Sequence, residues 1–184
     1  MGLLLNAIDS YVGTVEVCAG LKLMPLLFVR AGELRHAEWD DFDLKAWTWT
    51  FTPRKTKRMT GVSLIVPLPT QAIEIISELA KHKRSKYLFP ALHTTKQPIS
   101  DGTLNQALKR LGYGSDIQTV HGFRASARTM IVEQLKIPEQ LVELQLGHQV
   151  RDMHGRAYNR VQWIPERRDM MQKWADYLDT LKKQ

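Results

Sequence analysis

Residues 46–51 read Ala46-Trp47-Thr48-Trp49-Thr50-Phe51, with Trp47, Trp49 and Phe51 alternating against Ala46, Thr48 and Thr50. Aromatic and β-branched residues repeating every second position predict a strand with one apolar face. Val62 to Val66 predicts a second strand, and Phe42 to Leu44 a short third one. Pro53 to Gly61, between the two clear strands, holds Arg54, Lys55, Lys57 and Arg58 and reads as a basic hairpin tip. This region is a small antiparallel sheet, and it stands alone in a chain whose other periodicities are helical.

Working outward, Leu3 to Ile8 predicts a short helix, followed by a loop around Gly13. Val15 to Val29 predicts a buried helix that Pro25 either kinks or restarts. Gly32 breaks the pattern, and Glu33 to Ala37 adds a further turn. Thr70 is placed to cap a helix reaching Ala80, with Ile73, Ile76, Leu79 and Ala80 on one face. Further helices run from Ser100 or Asp101 to Gly112, from His121 to Leu135, and from Pro138 to Leu146, where Gly147 stops the last. Pro165 opens the final helix, striped by Met170, Trp174, Tyr177, Leu178 and Leu181. The class is mainly α with a small antiparallel β-sheet (α+β).

The 184 residues fit one domain, and a 43% hydrophobic share is enough for a sizeable core. Twenty-six Lys and Arg against nineteen Asp and Glu leave a net charge of +7, which favours an anionic partner, nucleic acid before membrane. A single cysteine, Cys18, excludes an internal disulfide and a multi-cysteine zinc site, and fits a reducing, intracellular setting. No apolar run is long enough for a transmembrane helix, and the start, Met1 to Asn6, lacks the basic region of a secretory signal.

Four groups of residues carry possible chemistry. His121 and Arg124, three apart, share one helix face, and a helix beginning near His121 would add free amides to an anion site. Most such pairs are surface or capping residues. Arg30 follows the apolar stretch Leu26 to Val29; it either pairs with Glu33 or Glu38, or is held for a bidentate grip on phosphate. His148 follows the helix-ending Gly147, and Tyr158 comes ten residues later. Each has a plain reading, as a loop residue and as packing. Together with the arginines and His121 they supply one reaction class, in which a tyrosine attacks a phosphodiester while cations neutralise the growing charge. The hairpin cations Arg54, Lys55, Lys57 and Arg58 form either a solvated turn or a phosphate-tracking tip, and a lysine there can protonate a departing 5′-oxygen.

In chain order these pieces resemble the catalytic domain of the tyrosine recombinase (phage integrase) family. The supporting strings are Phe-Val-Arg-Ala-Gly-Glu-Leu-Arg-His-Ala-Glu-Trp at 28–39, Ile-Val-Pro-Leu-Pro at 65–69, His-Gly-Phe-Arg at 121–124, Leu-Gly-His at 146–148 and Arg-Ala-Tyr-Asn-Arg at 156–160. The string at 167–178 resembles the tail of integrases carried by satellite prophages and genomic islands. The resemblance implies a tyrosine recombinase catalytic-domain fold over residues 1–184, with the family's upstream core-binding and arm-binding domains absent from this chain. It implies site-specific integration or excision at double-stranded DNA attachment sites by a homo-tetramer assembled on DNA, in the bacterial cytoplasm at the nucleoid, with no membrane association.

The implied mechanism assigns Arg30, Arg124 and His148 to the scissile phosphate, His121 to proton movement from the nucleophile, and Tyr158 to attack, giving a 3′-phosphotyrosine without cofactor or metal. Glu33 would orient the Arg30 region. The family's spacing for the hairpin lysine falls on Met59 here; a slightly longer turn makes Lys57 the first choice, with Arg58 and Lys55 behind it. Ala31 stands where many relatives have proline. The last helix would either pack on its own domain or dock onto a neighbouring protomer. Alternative readings are a type IB topoisomerase-like relaxing enzyme, a non-catalytic DNA-binding module of the same fold, and a metal-dependent nuclease using His121, His148 and His154. The missing encircling insertions, the full catalytic set and the lack of a carboxylate cluster argue against these in turn.

Overall fold

The computed structural model describes residues 1–54, 62–148 and 163–183. Three helices come first: α1 (Gly2–Asp9), α2 (Val15–Leu27) and α3 (Ala31–Arg35). A 3-10 turn at Trp39–Asp41 leads into β1 (Phe42–Asp43), β2 (Thr48–Phe51) and β3 (Leu64–Pro67). Then follow α4 (Thr70–Ala80), α5 (Thr103–Arg110), α6 (Gly122–Glu133), α7 (Glu139–Gln145) and α8 (Ile164–Lys182). The predicted class, mainly helical with one small antiparallel sheet, is what is observed.

The core is built on α2, which packs against α1, α4, α5, α6 and α8. Its residues are apolar almost all round, so burial on several sides is their stable arrangement. Thr14 caps its start through the Val17 amide. Pro25 lies inside the helix, which stops at Leu27 rather than Val29 because Phe28 turns into left-handed backbone (φ 38°). Phe28 is a bulky residue in a conformation that favours glycine, held there by complete burial and an edge-on contact with the Trp174 ring at 6.3 Å. Gly32 does not break the chain into two pieces; it lies within α3.

In the sheet, strand order is β1-β2-β3, with Phe42 opposite Trp49 and Trp49 opposite Val66. Trp49 is fully buried, stacked on Phe42 at 5.3 Å and tilted against Phe51 at 4.3 Å. The aromatic alternation therefore holds from Trp49 onward, but Trp47 departs from it. It sits in the β1–β2 turn at φ 56°, 41% exposed, where Arg168 of α8 donates to the carbonyls of Ala46 and Trp47. The second strand begins at Leu64, leaving Val62 exposed.

Two further expectations change. Thr70 is the first residue of α4, not its cap; its amide and hydroxyl both donate to Gln172 Oε1. The buried face of α4 is Ala72, Ile76 and Leu79, with Ile73 half-buried and Ala80 exposed. The stripe of α8 belongs to this domain: Met170, Trp174 and Leu178 are buried, Tyr177 and Leu181 pack partly against the core, and Trp174 Nε1 donates to the Pro25 carbonyl at 2.9 Å. A neighbour-docking role for that stripe is thereby corrected, since its apolar face is already covered by α1 and α2. Among the described residues, no helix is long and apolar enough to cross a membrane.

Candidate functional site

Arg124 lies in the first turn of α6, on the face it shares with Phe123 and Ala127, and is only 6% exposed. A buried guanidinium needs acceptors. Arg124 Nη1 donates to the carbonyl of Phe28 at 2.9 Å, and Nη2 to that of Leu146 at 3.0 Å. Both carbonyls come from helix ends, which leave such groups free. One side chain thus ties together the ends of α2 and α7 beside the start of α6. Burial, then the nearby Arg30 charge, push its pKa down to about 10, against an opposing pull from Glu143. It stays cationic at neutral pH.

Arg30 precedes α3 and is half-buried. Neither predicted carboxylate pairs with it. Glu33 is buried and accepts the Arg54 amide at 3.0 Å, and Glu38 takes Lys86 at 2.6 Å. Among the described residues Arg30 has no ion-pair partner. Its Nη1 lies 3.8 Å from where a Cβ on Gly147 would stand, which brings it beside the α7 end that Arg124 grips. Two arginines held close without a shared acid form a place for an anion with two or more oxygens.

Gly147 sits at φ 68°, and the amides of Gly147 and His148 return to the carbonyls of Leu144 and Glu143. This is the glycine-dependent helix stop expected at this position. It delivers His148 at the same corner, exposed, with Nδ1 2.6 Å from Glu143 Oε2. A Cβ on Gly147 would meet only ordinary contacts, 3.4 Å from Leu64 and 3.8 Å from Arg30, so backbone strain decides its effect. Gly147→Ala is expected to lower unfolding free energy by about 1–2 kcal/mol, read by denaturant titration.

His121 is the residue before α6 and is exposed. Its carbonyl accepts the Arg124 amide at 3.1 Å, and the Gly122 amide is taken by Thr119. Two amides of the expected anion-binding helix start are therefore already used within the chain. His121 precedes Arg124 by three residues, and no hydrogen bond or ion pair among the described residues links its ring to Arg30, Arg124 or His148.

Arg54 is exposed, and its amide is anchored on the Glu33 carboxylate just after β2 ends. Glu33 thus holds the hairpin base rather than Arg30 itself. Lys55, Lys57, Arg58, His154 and Tyr158 lie outside the described residues. Among the described residues no cluster of His, Cys, Asp and Glu is arranged to hold a metal ion.

Two features escaped the sequence reading. Arg167 of α8 is 1% exposed and donates to Gln145 Oε1 and to the Ile65 carbonyl, and burial pushes its pKa down to about 10. Nothing in its local sequence marks it as buried. Glu143 divides its carboxylate between His148 and Arg128; its four-residue spacing from Glu139 on α7 was the available signal.

Comparison with known proteins places this corner in context. The model of the phage integrase family matches residues 3–163. The putative protein IntB of Escherichia coli K12 is 34% identical over 96% of this chain and 48% of its own length. The integrase of enterobacteria phage P4 is 36% identical over 95% of this chain and 43% of its own. The chain spans about half the length of these curated relatives. Its fold is similar to that of an integrase from mycobacterium phage Brujita, with TM-score 0.72 and 19% identity over 98% of this chain and 61% of that one. It is also similar to a lambda integrase tetramer bound to a Holliday junction, with TM-score 0.59 and 17% identity over 80% and 45%.

Proposed function

The chain belongs to the phage integrase family, and from that premise we propose that it breaks and rejoins DNA at specific sites by tyrosine attack on a phosphodiester. The observation that carries the reading is the pair Arg30 and Arg124, brought to one corner with His148 and no acid on Arg30 among the described residues. A phosphodiester has two non-bridging oxygens, and the negative charge on them grows as a nucleophile adds. Fixed guanidinium donors aimed at those oxygens lower that barrier and require no reorganisation during reaction.

In the proposed reaction the phenol oxygen of Tyr158 forms a bond to phosphorus, and the bond from phosphorus to the 5′-oxygen breaks. His121 assists removal of the phenol proton. A hairpin lysine, Lys57 by preference, supplies a proton to the departing 5′-oxygen. The products are a 3′-phosphotyrosine and a free 5′-hydroxyl. One phosphodiester is exchanged for another, so a 5′-hydroxyl from a partner strand can reverse the step without ATP. No metal is required by this scheme. The tetramer of the lambda structure supports assembly of four protomers on DNA as the setting for strand exchange.

A suicide substrate tests the proposal. Duplex carrying the attachment site, nicked so that the 5′-hydroxyl diffuses away, is incubated with the protein in EDTA. A covalent protein–DNA adduct is expected. An EDTA-sensitive cut without adduct indicates a nuclease instead, and binding without adduct indicates a DNA-binding module.

The hairpin gives a second expectation. Each neutralised phosphate contributes roughly 0.9 to the slope of log affinity against log salt. Arg54→Ala is expected to flatten that slope by about one and to weaken binding alike on specific and unrelated duplexes, measured by fluorescence anisotropy from 50 to 200 mM salt. An unchanged slope removes Arg54 from the phosphate contacts.

A further inference from the structure

Three charged side chains outside the phosphate grip meet on the α6–α7 face. Arg128 follows Arg124 by one helical turn on α6, and Glu139 and Glu143 stand one turn apart on α7. Arg128 Nη2 pairs with Glu139, and its Nε donates to Glu143 Oε1 at 2.5 Å. The other oxygen, Glu143 Oε2, lies 2.6 Å from His148 Nδ1. Each carboxylate oxygen of Glu143 thus has its own partner, one from a helix and one from the loop beyond Gly147. Partial burial works against the charged form of Glu143, but the hydrogen bonds from Arg128 and His148 outweigh it and hold the carboxyl below its usual range.

We propose that Glu143, braced by Arg128, is the positioning residue for His148, fixing its ring so that Nε2 is the atom presented to the scissile phosphate. This role rests on the proposed function for the identity of the ligand, and on the contact between Glu143 and His148 for its geometry. An ionised carboxylate can only accept, so Nδ1 is the donor in this contact. That assignment leaves Nε2, across the ring, free for a second partner. A ring donating from both nitrogens is cationic, and Glu143 then supplies its counter-charge. His148 is exposed, and the Glu143 bond supplies a restraint on its ring. Partners of this kind, which set the tautomer and angle of a functional histidine, carry large effects without touching the ligand.

Two measurements test this. The first needs no DNA chemistry: nitrogen chemical shifts of a histidine-labelled full-length chain, with His148→Ala identifying the signal. A protonated Nδ1 is expected in the wild type, with Glu143→Ala giving the ordinary tautomer mixture. The same mixture in the wild type overturns the proposal. The second is a double-mutant cycle on the suicide substrate. Glu143→Ala is expected to slow adduct formation about tenfold, by analogy with partners of metal-bound histidines, while binding to uncleaved duplex is unchanged. Glu143→Gln, which keeps an acceptor, recovers part of the rate. In a His148→Ala background, Glu143→Ala adds no further loss. Additive losses, or a wild-type rate in Glu143→Ala, overturn the proposal, with thermal melting showing that each variant is folded. Absence of adduct in the wild type refutes the proposed function instead, and the histidine signals then decide the positioning role alone.

Discussion

Arg124→Ala is expected to abolish adduct formation and, unlike most active-site truncations, to weaken the fold as well. Its guanidinium is the donor to the carbonyls of Phe28 and Leu146, which belong to the ends of two different helices. Truncation leaves both carbonyls without that donor, and each buried group so abandoned costs about 1–3 kcal/mol. A loss of about 2–6 kcal/mol in unfolding free energy is the expected sum, against a whole-domain stability of about 5–15 kcal/mol. Arg124→Lys does not repair it, because a single ammonium lacks the fork that reaches both carbonyls. Low activity in Arg124 variants therefore combines lost chemistry with lost structure.

Arg30 separates the two. It is half-buried, and among the described residues no carboxylate depends on it. Arg30→Ala is expected to keep the melting temperature within a few degrees while slowing adduct formation by about 10²–10³-fold, the usual cost of removing one donor to a developing oxyanion. Adduct at wild-type rate in either arginine variant contradicts the assignment of the phosphate grip.

Tyr158→Phe is expected to have the largest effect on chemistry. The substitution removes one oxygen, and that oxygen is the atom that bonds to phosphorus in the proposed reaction. No adduct should form at any enzyme concentration or time. Affinity for intact duplex should stay within about fivefold, since one hydroxyl contributes at most a single hydrogen bond. The combination distinguishes a nucleophile from a contact residue, because a contact residue lowers affinity first. Persistent adduct in Tyr158→Phe transfers the role to another side chain.

How the site assembles explains which parts were readable in the chain. Periodicity within one element was readable: Trp49 and Phe51 face one way along a strand, and Met170, Trp174 and Leu178 repeat along a helix. Residues whose meaning depends on a distant partner were not. Arg124 stands in a recognisable pair with His121, yet its burial follows from carbonyls 96 and 22 positions away. Arg167 is equally hidden, bonded to Gln145 and Ile65 across 22 and 102 positions. Local rules also yielded where packing opposed them. Gly32 lies inside α3 although glycine disfavours helix interiors, and Phe28 takes a left-handed turn because burial holds it there. The stripe on α8 had two open readings, and only the packing against α1 and α2 decided between them.

The proposed reaction turns on one bond, from the phenol oxygen of Tyr158 to a DNA phosphate. The direct measurement is mass analysis of the purified adduct after nuclease and trypsin digestion. Trypsin cuts after Arg156 and Arg160, releasing the peptide Ala157–Arg160. A nucleotide remnant attached through phosphate to Tyr158, formed in EDTA, is the predicted result. The same remnant on any other residue, or cleaved DNA with every peptide unmodified, contradicts the account.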